Sequence, residues 1–158
     1  MEKAANGNNP CAIELGIFGI KFALCDGGIQ KINFECKITV IYFPPINITN
    51  QTKVLFHNLI AFEACKASEI NYVTCYLSLM DELIDSEEDV AMLRKSGIVI
   101  NYLGSDSEVA KLFNGLRKGV TVSWTDALAK LKGDVDDHYR SKIKVWFTEL
   151  VKEHFSSP

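Results

Sequence analysis

Between Asp85 and Gly119 the chain reads DSEEDVAMLRKSGIVINYLGSDSEVAKLFNGLRKG, and this stretch decides the fold because both of its helices are punctuated at both ends. Ser86 stands before Glu87, Glu88 and Asp89, an N-cap followed by acids where the first helical amides point outward unpaired. Arg94 and Lys95 precede Gly97, which suits the opposite end of the macrodipole and a left-handed cap. Ser105 and Glu108 form a second capping box, and Gly119 follows Arg117 and Lys118. The triplet Ile98-Val99-Ile100 between them is short, apolar and expected to be buried.

Outward from this pair the chain divides at Pro44-Pro45. On its C-terminal side, Thr49 or Thr52 opens a helix carrying Leu55, Phe56, Leu59, Ile60 and Phe62, a density that reads as a buried helix. A second helix runs from Ile70 to Ile84 with Tyr72, Tyr76, Leu79, Met80 and Leu83. From Ser123 to Phe155 the series Trp124, Leu128, Leu131, Val135, Tyr139, Ile143, Trp146, Leu150 steps by three and four. If unbroken this is a helix of about 45 Å, with Gly133 as its weak point at a cost of about 1 kcal/mol against alanine. On the N-terminal side, Ala12 to Phe18 can form a short helix closed by Gly19. Ile20, Phe22 and Leu24 alternate with Lys21 and Ala23, Asp26-Gly27-Gly28 gives a hairpin signal, and Ile32 and Phe34 alternate again. After a turn near Glu35 to Lys37, Ile38 to Phe43 is β-branched and aromatic.

The expected fold is therefore α+β and mainly α-helical. A small antiparallel sheet of two to three strands near the N-terminus is followed by about five helices, the last one long. Residues 1–10 are expected to be flexible, 11–48 to form the small β-rich part and 49–158 the helical part. A chain of 158 residues is one ordinary domain, and its 47% apolar and 23% charged composition is that of a globular protein.

A net charge of −3 and a pI near 5.6 supply no basic footprint, so nucleic acid is not expected as a partner. The cysteines Cys11, Cys25, Cys36, Cys65 and Cys75 lack zinc or thioredoxin-like spacing and read as reduced, mostly packed thiols. Met1 to Asn9 is polar, with no secretory pattern, and no apolar run reaches the roughly 20 residues a bilayer crossing needs. As given, the chain is expected to be soluble and cytoplasmic.

No catalytic, metal or cofactor constellation emerges. Asp81, Glu82, Asp85, Glu87, Glu88 and Asp89 are consecutive on a helix end and the next cap, where acids gain from the dipole without a ligand. His57 lies on an apolar helix and reads as a side chain at the core's edge; His138 and His154 have no paired spacing. Cys65 and Cys75 carry no local nucleophile signature. Asp26-Gly27-Gly28 does not open a helix and so cannot cradle a phosphate. Asn47-Ile48-Thr49 and Asn50-Gln51-Thr52 are N-glycosylation acceptor patterns at Asn47 and Asn50, for which helix-start capping is the preferred reading.

The phrases LFHNLIAFE (Leu55 to Glu63), YVTCYLSLMDELIDSEEDVAMLRKSGI (Tyr72 to Ile98) and NYLGSDSEVAKLFNGL (Asn101 to Leu116) resemble a plant family of membrane proteins, domain of unknown function 247. More loosely similar are Ala12 to Leu15, Gly19 to Phe22, Pro44 to Ile48 and the closing Phe155-Ser156-Ser157-Pro158. The resemblance implies that the chain is the C-terminal region of a larger family domain, and that a membrane-spanning anchor ordinarily follows the position of Pro158. Members linked to self-incompatibility in grasses imply protein recognition near a membrane, and the family supplies no catalytic residues or cofactor. The expected function is a non-enzymatic recognition or signalling module with an unknown protein partner, membrane-associated through an anchor this chain does not carry, and prone to self-association. The rivals are an enzyme whose cleft needs a preceding N-terminal part, and a truncated product without independent function.

Overall fold

A computed structural model describes residues 9–66, 71–116 and 119–155. The elements run α1 (Ala12–Ile17), β1 (Lys21–Leu24), a 3₁₀ turn (Ile29–Lys31), β2 (Asn33–Glu35), β3 (Val40–Phe43), β4 (Ile46–Ile48), α2 (Thr52–Cys65), α3 (Tyr72–Leu83), α4 (Glu87–Lys95), β5 (Val99–Asn101), α5 (Asp106–Leu116) and α6 (Asp126–Phe155). The α+β, mainly helical architecture with a long last helix is the one expected. The expected flexibility of residues 1–10 falls largely outside the described residues, as do Arg117 and Lys118 before Gly119.

The sheet corrects the expected pairing. The signal at Asp26-Gly27-Gly28 does not close a hairpin. Instead the chain passes through the 3₁₀ turn, β2 pairs antiparallel with β3, and β1 pairs parallel with β3 on its other edge. The sheet is thus mixed, and β3 takes the centre because VIYF is its most apolar strand: Ile41 and Phe43 are buried while β1 and β2 hold part-exposed edges. The hairpin that does form joins β2 to β3, and its turn holds Thr39 at φ 56°, with the Thr39 hydroxyl donating to the Gly19 carbonyl at 3.0 Å. Ile98-Val99-Ile100 contributes β5, which pairs parallel with β4 across the strand-to-helix divide. Ile98 and Val99 are buried and Ile100 is exposed.

Helix ends follow their punctuation. At α4, Ile98 N–H donates to the Leu93 carbonyl and Gly97 N–H to Arg94, a full Schellman closure with Gly97 at φ 77° and both Leu93 and Ile98 buried. α1 ends the same way: Ile20 bonds Leu15, Gly19 bonds Gly16, and Gly19 sits at φ 88°. Ser105 accepts from Glu108 N–H and donates its hydroxyl to the Glu108 carboxylate, so the forward half of the expected box forms while the carboxylate meets the hydroxyl.

α3 is the central helix, with every residue from Thr74 to Asp81 buried, because α2, α5, α6 and the 3₁₀ turn surround it. α2 departs from expectation. Only Thr52 and Phe56 are buried, and Ile60 completes the inner stripe. Val54, Leu55 and Phe62 face outward, since this helix is apolar on both sides and the domain covers one. α6 is continuous through Gly133. Its Leu128, Leu131 and Val135 enter the core, and Tyr139 packs edge-on against Phe18 with centroids 5.1 Å apart.

Candidate functional site

The acidic run resolves into separate fastenings. Asp89, fully buried, takes Ile13 N–H on Oδ1 at 2.8 Å and the Asp85 and Ser86 amides on Oδ2 at 3.0 Å each. One carboxylate thereby serves the starts of both α1 and α4, where helix amides converge on negative charge. Cys11, at the α1 cap, has its thiol pushed up to about 12, chiefly by burial. Glu87 and Glu88 are exposed in the first turn of α4, and Asp81 is buried on α3. Glu63 on α2 performs the same service for α3, accepting from the Val73 and Thr74 amides at 2.8 Å and the Thr74 hydroxyl at 2.7 Å. Sequence reasoning missed Glu63 because its partners lie ten and eleven residues away. Arg94 grips Asp106 through two nitrogens at 3.0 to 3.2 Å, and this pair holds the Asp106 carboxyl below its usual range.

A further polar pair borders a hollow, apart from the Lys130–Asp134 and Arg140–Asp136 pairs along α6 itself. Glu82 on α3 accepts from Lys132 on α6 at 2.7 and 2.5 Å, and the ammonium also sits 3.9 Å from the Trp124 ring centroid. Beside it lies a cavity of about 40 Å³, lined mainly by Leu15, Phe43, Leu79 and Leu131. A water needs about 10–15 Å³ by this measure, so the space is large enough for a few waters.

The imidazoles and thiols stand apart. His57 is exposed rather than at the core's edge, with Nδ1 2.8 Å from the Lys53 carbonyl of its own helix. His138 packs edge-on to Phe34 at 6.0 Å, and His154 is exposed. All five cysteines are free; Cys75 is buried and donates to the Ser123 carbonyl, but Cys36 and Cys65 are exposed, which corrects the expectation of mostly packed thiols. Among the described residues no group of three or more His, Cys, Asp or Glu could hold a metal ion. Asn47 and Asn50 are exposed, while the turn into α2 is tied by Thr49 and Thr52: Thr52 Oγ1 accepts from Thr49 N–H at 2.8 Å.

What the polar groups leave uncovered is apolar surface. After Tyr139 no described side chain of α6 is buried, yet the stripe continues through Ile143, Trp146, Phe147, Leu150 and Val151. Trp146 and Phe147 are 53% and 61% exposed, so the last four turns or so of α6 project past the core with their apolar face open. Leu55 and Phe62 on α2, at 54% and 58%, form a second open face. Among the described residues no helix is long and apolar enough to cross a membrane.

The whole chain, residues 1–158, matches the family DUF247, plant protein of unknown function. It is 34% identical over 144 residues to the UPF0481 protein At3g02645 of Arabidopsis thaliana, covering 90% of this chain and 27% of that protein. It is 29% identical over 150 residues to UPF0481 protein At3g47200 of the same plant, covering 93% of this chain and 32% of the relative. The chain thus spans about a third or less of these relatives. No solved structure matches it.

Proposed function

The chain belongs to DUF247, a plant family of unknown function, and from that premise we propose that it is a non-enzymatic protein-recognition or signalling module that works at a membrane, with α6 as its stalk. The observation that carries the reading is the overhang of α6, whose apolar stripe runs on through Trp146 and Phe147 after the core has ended. Leaving such side chains in water forgoes about 1.5–3 kcal/mol each relative to burial, which is the ordinary signature of a surface meant to be covered. The open face of α2 adds to it. The charged groups support the reading from the other side: Asp89, Glu63, Asp106 and Glu82 each spend their hydrogen bonds on holding helices together.

The test is recovery of a defined protein from plant membrane fractions by an anchored full-length relative carrying this domain. Leu55→Glu with Phe62→Glu on α2 is expected to lose that protein while circular dichroism stays unchanged, since neither side chain is buried. Equal recovery with and without the two charges overturns the reading. Analysis of peptides bearing Asn47 and Asn50 for glycans decides the side of the membrane: sugar puts the domain outside the cytosol.

A further inference from the structure

We propose that the corner formed where α6 leaves the core seats an amphipathic helix from a longer polypeptide of the same family, with acids on that helix meeting the basic start of the overhang. The inference deepens the recognition reading and rests on it: it names the occupant of the α6 face and leaves the α2 face to the membrane-fraction protein.

The corner has a wall and a floor. The stripe that enters the core as Leu128, Leu131 and Val135 continues in the same three-and-four spacing through Ile143, Trp146 and Leu150, so the open side of the overhang is the side on which the core lies. Residues 140–155 carry that wall outward by about 24 Å. The floor is the end of the core at this point. Phe18 touches Tyr139 there, and the Gly19 carbonyl accepts from the Thr39 hydroxyl. Ile17 beside Phe18 and Ile38 beside Thr39 are 72% and 52% exposed. A helix laid along the wall with its end on the floor covers both, because side chains three and four apart on α6 form the ridges it packs between.

Geometry excludes two other occupants. A flat bilayer reaching the stripe would meet the core first, since both lie on one side of α6. A second copy brings like charge: between residues 140 and 148 the overhang holds Arg140, Lys142 and Lys144 and no acid, while Glu149 and Glu153 stand nearer the tip. Two overhangs side by side in the same direction set these cations against each other. In the opposite direction the tip of one runs into the core of the other.

The same charges describe the helix that fits. Arg140 is answered by Asp136 of its own helix at 2.7 Å, and Lys142 and Lys144 are exposed, so the matching helix carries its acids near the end that meets the floor. The family has the polypeptide to supply it. The matched region is about a third or less of the two Arabidopsis relatives, so a longer member carries two thirds or more of its chain beside this region, and the corner is an open apolar seat for part of it.

The experiment places a photoreactive benzoylphenylalanine at Phe147 and irradiates the chain with purified full-length At3g02645. Adducts are expected on peptides of the relative outside the 144 residues that match this chain. Trp146→Glu with Ile38→Glu should lower the yield about tenfold, as should Lys142→Glu with Lys144→Glu, whereas Leu55→Glu with Phe62→Glu on α2 should leave it unchanged. Folding is not at risk, because every one of these side chains is exposed. Adducts confined to the matched residues, adducts between two copies of this chain, preferential labelling of phosphatidylserine vesicles, or no adduct at all overturns the proposal. Absence of adducts while the α2 charges still abolish recovery of the membrane protein overturns the corner alone and leaves the recognition reading intact. Adducts outside the match beside equal recovery from membranes do the reverse.

Discussion

Asp89 fastens two helices at once, because its two oxygens serve amides at the starts of both α1 and α4 from a fully buried site. Asp89→Ala leaves those donors unpaired and is expected to cost about 3 kcal/mol or more, seen as a lower urea midpoint, with Asp89→Asn recovering part of it. Tyr76 is the converse case. Its hydroxyl is buried on α3 with no hydrogen-bond partner among the described residues, and burial pushes its ionisation upward. Tyr76→Phe removes an unpaid polar group and should be neutral or stabilising by about 1 kcal/mol in the same measurement. Asp106 sets an acid-side dependence. The Arg94 guanidinium depresses its folded pKa below the ordinary 3.8, so its contribution is fully present above that value and is lost as pH falls through the lower folded pKa. Arg94→Gln should flatten that part of the stability curve measured below pH 3.8.

Elements differ in how far they could be read in advance. The caps at Ser86, Ser105, Gly19 and Gly97 were legible because a cap is settled by residues within one turn of each other. Strand pairing was not, since the parallel union of β1 with β3 depends on which strand wins the centre, and the glycine pair after Cys25 signals a turn without saying where the chain goes next. The burial of α2 was misread for a related reason: an apolar residue on each side of a helix does not say which side has a neighbour. For α6 the stripe was visible, but the point where its cover stops was not. Two glycines test this scale. Gly133 is exposed in mid-helix with open space around it, so Gly133→Ala should raise stability by about 0.5–1 kcal/mol. Gly97→Ala, at φ 77° and with an added methyl only 3.1 Å from Leu24, should lower it by about 1–2 kcal/mol in thermal unfolding.

At the scale of the molecule the β-rich and helical parts interleave into one core: α1 packs on α4, β4 pairs with β5, and α6 lies over β2. A chain ending after Tyr139 is accordingly expected to keep the unfolding free energy of the whole within about 0.5 kcal/mol, because the removed turns contribute no buried described side chain. Of the candidate surface, the open stripe on α6 could be anticipated as an over-long apolar series, whereas the open face of α2 emerged only from packing. The parallel pair of β4 and β5 has a further effect, on birth rather than on stability. Its register joins Ile46 to Val99, so at a synthesis rate of about 5–20 residues per second the two strands leave the ribosome about 3–10 s apart. During that interval three helices, α2 to α4, follow β4 out of the ribosome while Ile48 stays bare, awaiting a mate. Chaperone dependence of this protein should accordingly peak before Asn101 emerges and relax once it has.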